Sequence, residues 1–190
     1  MTITTAGSKK IAYREFREME FPDDDLSIYE LVNGEIVKRN SPTAEHQMVS
    51  QKLLLLFLST ITGNNLGQVY YAPLDVALNE QTVVQPDLIY LAQNKLHLLD
   101  NPYRIIMGTP DLVVEIISPS SIKLDKIIKK NLYERFGVHE YWLVDPNNQS
   151  IEVYALQDGK YILHAFADAT EQVQSVVLAG LAVAAKAIFE

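Results

Sequence analysis

The run GTPDLVVEIISPSS, Gly108 to Ser121, limits the folds open to this chain more than any other stretch. It is apolar enough for a core strand, yet Glu115 sits in its middle, flanked by Val113, Val114, Ile116 and Ile117. A buried carboxylate without a partner is expensive. Glu115 is therefore either paired in the core or bound to something. The strand leads into SPSSIKLDKIIKKNLYERFG, a helix with serines ahead of its start and Gly137 as its stop, and then into EYWLVDP, a second apolar strand. Strand, helix and strand in that order form a crossover unit, right-handed by the general rule.

The remaining segments fit around this unit. SIYELVNGEIVKR reads as two strands about Asn33-Gly34, the pair preferred in type I′ hairpin turns. A helix of about 18 residues follows over HQMVSQKLLLLFLSTIT, with Ser41 or Thr43 as its N-cap. GQVYYAPLDVALN and TVVQPDLIYLA read as strands separated by a polar turn, and Gln93 to Tyr103 as a loop with a short helical piece. EYWLVDP, SIEVYAL and KYILHAF are three successive strands, and the tail is a last strand with a short helix. FREMEF reads as a short helix and PDDD as a turn, within an N-terminal extension over residues 1–26. The sum is α/β, a central mixed β-sheet flanked by two principal helices, with an N-terminal β-hairpin and C-terminal antiparallel strands.

At 190 residues the chain is expected to form one domain, 1–190, with a full core. There is no cysteine, so disulfides and thiolate metal sites are excluded. The start, MTITTAGSKK, lacks an apolar signal region, and neither LLLLFL nor the tail from Val176 is long enough to span a bilayer. The expectation is a cytoplasmic protein with no membrane partner. A net charge of −8 argues against broad electrostatic binding to nucleic acid. No Gly-rich phosphate loop is present.

Alternation along the strand puts Asp111, Val113, Glu115 and Ile117 on one face. Asp111 and Glu115 are roughly 13 Å apart at about 3.3 Å per residue, too far to share one ion. The partner of Glu115 must come from a neighbouring strand, and Asp87 in VVQPDLIYL is the best candidate. Two carboxylates in an apolar sheet repel each other, and a divalent cation removes that cost. On a helical wheel Leu124, Ile128, Leu132 and Phe136 form the buried stripe, with Ile127 beside it. Asp125, Lys129 and Tyr133 run along its flank, while Lys123, Lys126 and Lys130 face solvent. Lys129 is the lysine best placed to turn towards the sheet, into a wet cleft where it stays solvated.

Asp87 followed by Glu115 after 28 positions (115 − 87) resembles the PD-(D/E)XK nuclease pattern. YELVNGEIV, SPTAEHQ, VVQPDLIYL, PDLVVEIISPSS, DKIIKKNLYERFGVHEYWLVDP and the ending AIF resemble, more closely, the Uma-type family of restriction-endonuclease-like proteins, over roughly Ser27 to Phe189. The lysine of the wider pattern would fall at position 117, which is Ile117 here. The resemblance implies a lysine supplied by the following helix, and Lys129 fills that place. It also implies a Mg²⁺-dependent endonuclease, with Mn²⁺ as a substitute, acting on DNA; cutting both strands would favour a homodimer. Asp87 and Glu115 would hold the metal, and Lys129 would position or deprotonate the attacking water. Glu30 is a candidate outer carboxylate, or else a cross-strand charge. His46 is an auxiliary base, or else a satisfied polar residue. DNA would be met by the Lys123, Lys126 and Lys130 face. Asp111 and Asp145 read as strand-start and turn residues, and Tyr133, Glu140, Tyr141 and Trp142 as framework. The other reading is a non-catalytic interaction module on the same fold, with Glu115 and Lys129 as a core ion pair.

Overall fold

The computed structural model describes residues 10–62 and 64–190. After a short helix α1 (Tyr13–Arg17), strands β1 (Ile28–Val32) and β2 (Glu35–Arg39) form the expected hairpin, paired antiparallel from Ile28↔Arg39 to Val32↔Glu35. Asn33 and Gly34 take positive φ angles of 51° and 77°, as a type I′ turn demands. Helix α2 (Ala44–Ile61) is capped by Thr43, whose hydroxyl accepts from the His46 amide. Its buried residues His46, Val49, Leu53, Phe57 and Ile61 recur every three or four positions, so the imidazole continues the apolar stripe.

Two expected strands are each cut in two. GQVYYAPLDVALN divides into β3 (Gly67–Tyr71) and β4 (Val76–Asn79), and TVVQPDLIYLA into β5 (Thr82–Val84) and β6 (Leu88–Ala92). Pro73 and Pro86 stand at the breaks, where they have no N–H to give a ladder. A 3-10 turn over Gln93–Leu99 leads to β7 (Ile106–Met107) and then to the carboxylate strand β8 (Leu112–Ile116). A π turn (Leu124–Lys129) runs into α3 (Lys130–Phe136), which Gly137 ends in the left-handed conformation at φ 77°. Strands β9 (Glu140–Asp145), β10 (Ser150–Gln157) and β11 (Lys160–Ala167) follow as expected. The tail holds two strands rather than one, β12 (Gln172–Gln174) and β13 (Ala182–Ala184), before α4 (Ala185–Phe189).

The strands build a six-stranded mixed sheet in the order β11-β10-β9-β8-β6-β3 and a five-stranded sheet in the order β2-β1-β5-β4-β7. Strands β8 and β9 are parallel, as the crossover required. One face of the larger sheet packs α2, α4 and the C-terminal hairpin through Phe57, Trp142, Val153 and Ile188. The other face meets the α3 segment and the second sheet through Val113, Leu132, Tyr133 and Val84. Because β3–β4 and β5–β6 each pass from one sheet to the other, Ala72–Asp75 and Gln85–Asp87 form a seam between them. Asp87 lies in that seam.

The helix after β8 departs from the simple wheel. Ile127 is 54% exposed, not beside the buried stripe. Leu124 and Leu132 are buried with Ile128 and Phe136 partly so, while Ser121, Asp125, Lys129 and Tyr133 form a second inward lane. Steps of four drift by about 40° each in an α-helix. The π turn takes more residues per turn and offsets that drift, so both lanes stay turned to the sheet.

Candidate active site

Strands β6 and β8 pair antiparallel at Leu88↔Val114, Ile89↔Val113 and Tyr90↔Leu112. Extending this register by one residue sets Asp87 opposite Glu115, the juxtaposition that the sequence required. Regular pairing stops there because a side chain replaces the backbone: Asp87 Oδ2 accepts from the Ile116 amide at 2.7 Å. The same oxygen accepts from His46 Nε2 at 3.1 Å. Asp87 is buried, and although burial opposes its charge, His46, Arg39 and the Ile116 amide hold its pKa below the usual carboxylate value.

Glu115 has no exposed surface. Its Oε1 accepts from Lys129 Nζ at 2.8 Å and from the Tyr133 hydroxyl at 2.5 Å. Glu30 reaches the same lysine from β1, with Oε1 2.8 Å from Lys129 Nζ, and accepts from the Gln85 amide at 2.7 Å. Arg39, at the end of β2, brings its Nε to 3.1 Å from Glu30 Oε2 and donates through Nη2 to the Gln85 carbonyl at 3.1 Å. Its Nη1 lies 4.0 Å from Glu115 Oε2. Asp125, from the π turn, completes a buried set of four carboxylates, Glu30, Asp87, Glu115 and Asp125, facing two permanent cations, Arg39 and Lys129.

That imbalance shapes the titration. Burial pushes the Glu115 pKa up to about 8, because Lys129 and Arg39 do not offset desolvation together with Asp125 and Asp87. Burial likewise raises Asp125 to about 6. Glu30 is driven the other way: Arg39 and Lys129 outweigh its desolvation and hold it ionised. Lys129 is also raised, since Glu115, Glu30 and Asp125 outweigh its burial and the repulsion of Arg39. It is therefore a fixed ammonium and not a base. Glu115 Oε2 and His46 Nδ1 have no hydrogen-bond partner, while Glu30 Oε2 is ion-paired with Arg39 Nε and Asp125 draws only on the Ser121 hydroxyl. Such orphans are uncommon in buried positions.

A cavity of about 80 Å³ opens against this cluster, lined by Arg39, His46, Asp87, Ile116, Tyr71 and the serines at 118, 120 and 121. At about 10–15 Å³ of such volume per water it admits several waters. Among the described residues no group of three or more His, Asp or Glu side chains forms a ready-made metal cage. The donors nevertheless suit Mg²⁺, which takes one or two carboxylates and keeps waters for the rest of its shell. Asp87 and Glu115 supply two such carboxylates, in a cluster where buried acids outnumber cations four to two.

The cluster thus unites Asp87, Glu115, Lys129, Glu30 and His46, all of the residues expected from the sequence. The lysine differs in its surroundings. It is fully buried and doubly paired rather than solvated in a wet cleft. The lysine face also differs. Lys126 lies 3.6 Å from Asp145 and 4.0 Å from Glu152, and Lys130 stacks over the Tyr154 ring at 3.4 Å, so both are engaged within the protein. Asp111 is framework, taking the Ala92 amide at 2.8 Å and Lys95 at 2.9 Å. Arg39, Asp125 and the Tyr133 hydroxyl were missed as site groups.

A family model described as "Uma2: Putative restriction endonuclease" matches residues 13–186. The chain belongs to the Uma2 family. A putative nuclease belonging to DUF820 from Anabaena variabilis, solved by crystallography, is similar to this Uma2 chain with a TM-score of 0.77. The likeness covers 94% of this chain and 97% of that one at 18% identity, and so shows a shared fold. No curated protein matches. Among the described residues no helix is long and apolar enough to cross a membrane. The Uma2 assignment makes this a restriction-endonuclease-like chain of a nuclease family, with the carboxylate seam where its two sheets join.

Proposed function

We propose that the chain is a divalent-cation-dependent endonuclease that hydrolyses phosphodiester bonds of DNA, with Asp87 and Glu115 as ligands for Mg²⁺ or, in its place, Mn²⁺. One observation carries this reading: four buried carboxylates face two cations beside a cavity that opens to solvent. When bound, the cation would activate a water and offset charge on the phosphoryl group. The chain's own groups have narrower tasks. Asp87 is fixed by the Ile116 amide and His46. Tyr133 and Lys129 hold Glu115 by one oxygen and leave Oε2 unengaged. Lys129, a fixed ammonium buried behind Glu30 and Glu115, holds both carboxylates and offsets developing charge through its field. His46 donates through Nε2 and presents an unpartnered Nδ1 that can accept a proton from water. A homodimer suits cutting of both strands, and a cytoplasmic location fits such a task. With Lys126 and Lys130 engaged internally, DNA affinity is modest and strongly salt-dependent.

A second reading, a non-catalytic interaction module, is favoured by the complete burial and double pairing of Lys129. Incubation of supercoiled plasmid with the protein in Mg²⁺, Mn²⁺ or EDTA decides between them. The endonuclease nicks in either cation but not in EDTA, and Asp87→Asn, Glu115→Gln and Lys129→Ala each remove activity. No nicking by the wild type, or nicking that survives Glu115→Gln, supports the module.

A further inference from the structure

Free strand edges recruit other strands unless charge, a bulge or shortness guards them. Of the outer edges of the two large sheets, β2 carries Glu35, Lys38 and Arg39, and β7 has only two residues. Strand β11 opens on Lys160 and runs past a bulge beside Val153 and Tyr154. Strand β3, GQVYY, has neither charge nor bulge, and its register with β6 is regular from Gly67↔Ala92 to Tyr71↔Leu88. It lies within the longest uncharged run of the chain, Leu53 to Leu74. The Ala72 amide donates to the Asp87 carbonyl and the Gln93 amide to the Leu66 carbonyl, both at 3.1 Å. Alternation therefore turns the N–H and C=O groups of Gly67, Val69 and Tyr71 away from β6. Among the described residues no strand pairs them on that side.

Helix α2 flanks the same edge. Val69 and Tyr71 share one strand face, and Val69 packs there into the core that α2 covers. One flank of α2 meets α4, where Lys52 Nζ donates to the Ile188 carbonyl at 3.2 Å. On a helical wheel Leu54 and Leu58 lie on the other flank, and Leu55 points outward beside them. Leu55 and Tyr71 are each 61% exposed and Leu58 is 42% exposed. We propose that this face, the open edge of β3 with the Leu55 and Leu58 side of α2, is the contact of a two-fold homodimer. Charge favours a second copy: each chain carries −8, so two copies approach with least repulsion on a face without acids. One symmetry operator serves both layers. A two-fold axis normal to the sheet at Val69 pairs β3 antiparallel with itself. The same axis keeps each sheet face on its own side, so α2 meets its symmetry mate. The chain reverses between α2 and β3, so Leu58, one turn before the helix end, lies near the level of Val69. Gln47, Ser50 and Tyr71 also line the cavity beside Asp87, so the axis has one cavity on either side. Only the use of that pair for cutting two strands rests on the endonuclease reading; the contact does not.

The test is sedimentation equilibrium of the full chain in EDTA, without nucleic acid. The wild type should show twice the 21.4 kDa mass of one chain. Leu58→Glu sets two acids against each other near the axis and should halve that mass. Its circular dichroism should match the wild type, because Leu58 is already partly exposed. Leu58→Lys alone should also be monomeric, while an equimolar mixture of the two variants should regain the doubled mass as a mixed dimer. That rescue needs both folds intact and a self-facing contact. Hydrogen exchange at the Val69 and Tyr71 amides should be slow in the wild type and fast in Leu58→Glu. A monomeric wild type would overturn the proposal and leave metal-dependent nicking to its own assay. A dimer that survives Leu58→Glu, or a mixture that stays monomeric, would put any contact elsewhere and overturn it. Fast exchange at both amides in a wild-type dimer would overturn the strand pairing.

Discussion

Two glutamates on neighbouring strands of one sheet, Glu140 on β9 and Glu115 on β8, are both fully buried, yet their surroundings are opposite. Glu140 is saturated with donors. It accepts from Trp142 Nε1 on one oxygen, and on the other from the Ser175 hydroxyl and the Val176 and Val177 amides at 3.0, 2.8 and 2.7 Å. Those donors tie the C-terminal segment to the core. Glu115 has a lysine and a tyrosine on one oxygen, none on the other, and three further carboxylates nearby. One carboxylate is a structural bolt, while the other is pushed towards its protonated form because Lys129 and Arg39 do not offset its burial and its acidic neighbours. Burial alone does not distinguish them; the count of donors does.

The largest expected effect lies on the Glu115 side. Lys129→Met strips Glu30 and Glu115 of a shared buried cation and should cost about 3–5 kcal/mol in a denaturant melt in EDTA. Adding Glu115→Leu should recover only part of the loss, since Glu30 stays without its ammonium. Full rescue would show that Glu30 contributes nothing to the network. Glu115→Leu alone should be milder, because Lys129 keeps Glu30 at 2.8 Å.

Next in size is the bolt itself. Glu140→Ala leaves the indole N–H, a hydroxyl and two amides unsatisfied, at about 1–3 kcal/mol for each that water cannot reach, so a loss of roughly 3 kcal/mol is expected. Glu115→Gln, measured in the same melt, should be neutral or slightly stabilising, as it removes one of four crowded acids. Equal losses at the two positions would erase the distinction between them.

A pH titration of stability separates the two sites more finely. The Glu115 value of about 8 and the Asp125 value of about 6 lie above the ordinary 4.5 and 3.8. The folded protein therefore binds more protons than the unfolded chain across that window. Its stability from these groups is fully present below the ordinary values and declines as pH rises towards 8, by up to about 1.4 kcal/mol per pH unit per proton. Glu30 and Asp87, held below their ordinary values, act in the opposite sense, and their contribution is lost only as pH falls through the acid range. In EDTA, stability should fall between pH 5 and 8, and Glu115→Gln should flatten the slope. A slope unchanged by that substitution would mean that Glu115 is ionised throughout.

How much of this was legible follows from the kind of signal each residue leaves. Asp87 and Glu115 are carboxylates inside apolar runs, an anomaly that any folded context must resolve, so their meeting could be deduced. Lys129 and Glu30 followed from periodicity and from the hairpin. Arg39 left no such mark: Lys38-Arg39 at the end of a hairpin strand looks like a solvated edge, and only the second sheet buries it. Asp125 falls on the flank of an α wheel, because an α period does not foresee the π turn that buries it. The splitting of two apolar runs between sheets leaves no sequence mark for a related reason. Pro73 and Pro86 mark where a ladder stops, but not that the chain resumes in another sheet.

The smallest expected effect tests whether single donors matter equally at the two glutamates. Tyr133→Phe removes one donor from Glu115 Oε1, which keeps Lys129 at 2.8 Å. Ser175→Ala removes one of four donors from Glu140, and also the hydroxyl oxygen that accepts from the Leu178 amide at 2.8 Å. A single hydrogen bond contributes about 1 kcal/mol net. Tyr133→Phe should cost no more than that, since the apolar ring still packs against Tyr141 at 5.3 Å. It should also move the pH-dependent decline to higher pH, because losing a donor disfavours the ionised form of Glu115 and raises its pKa further. Ser175→Ala should cost slightly more, because an amide is orphaned with it, and should leave the decline between pH 5 and 8 in place. Both parts are read in one series of melts across pH. If Tyr133→Phe left the decline where it was while Ser175→Ala moved it, the contrast between the two carboxylates would be overturned.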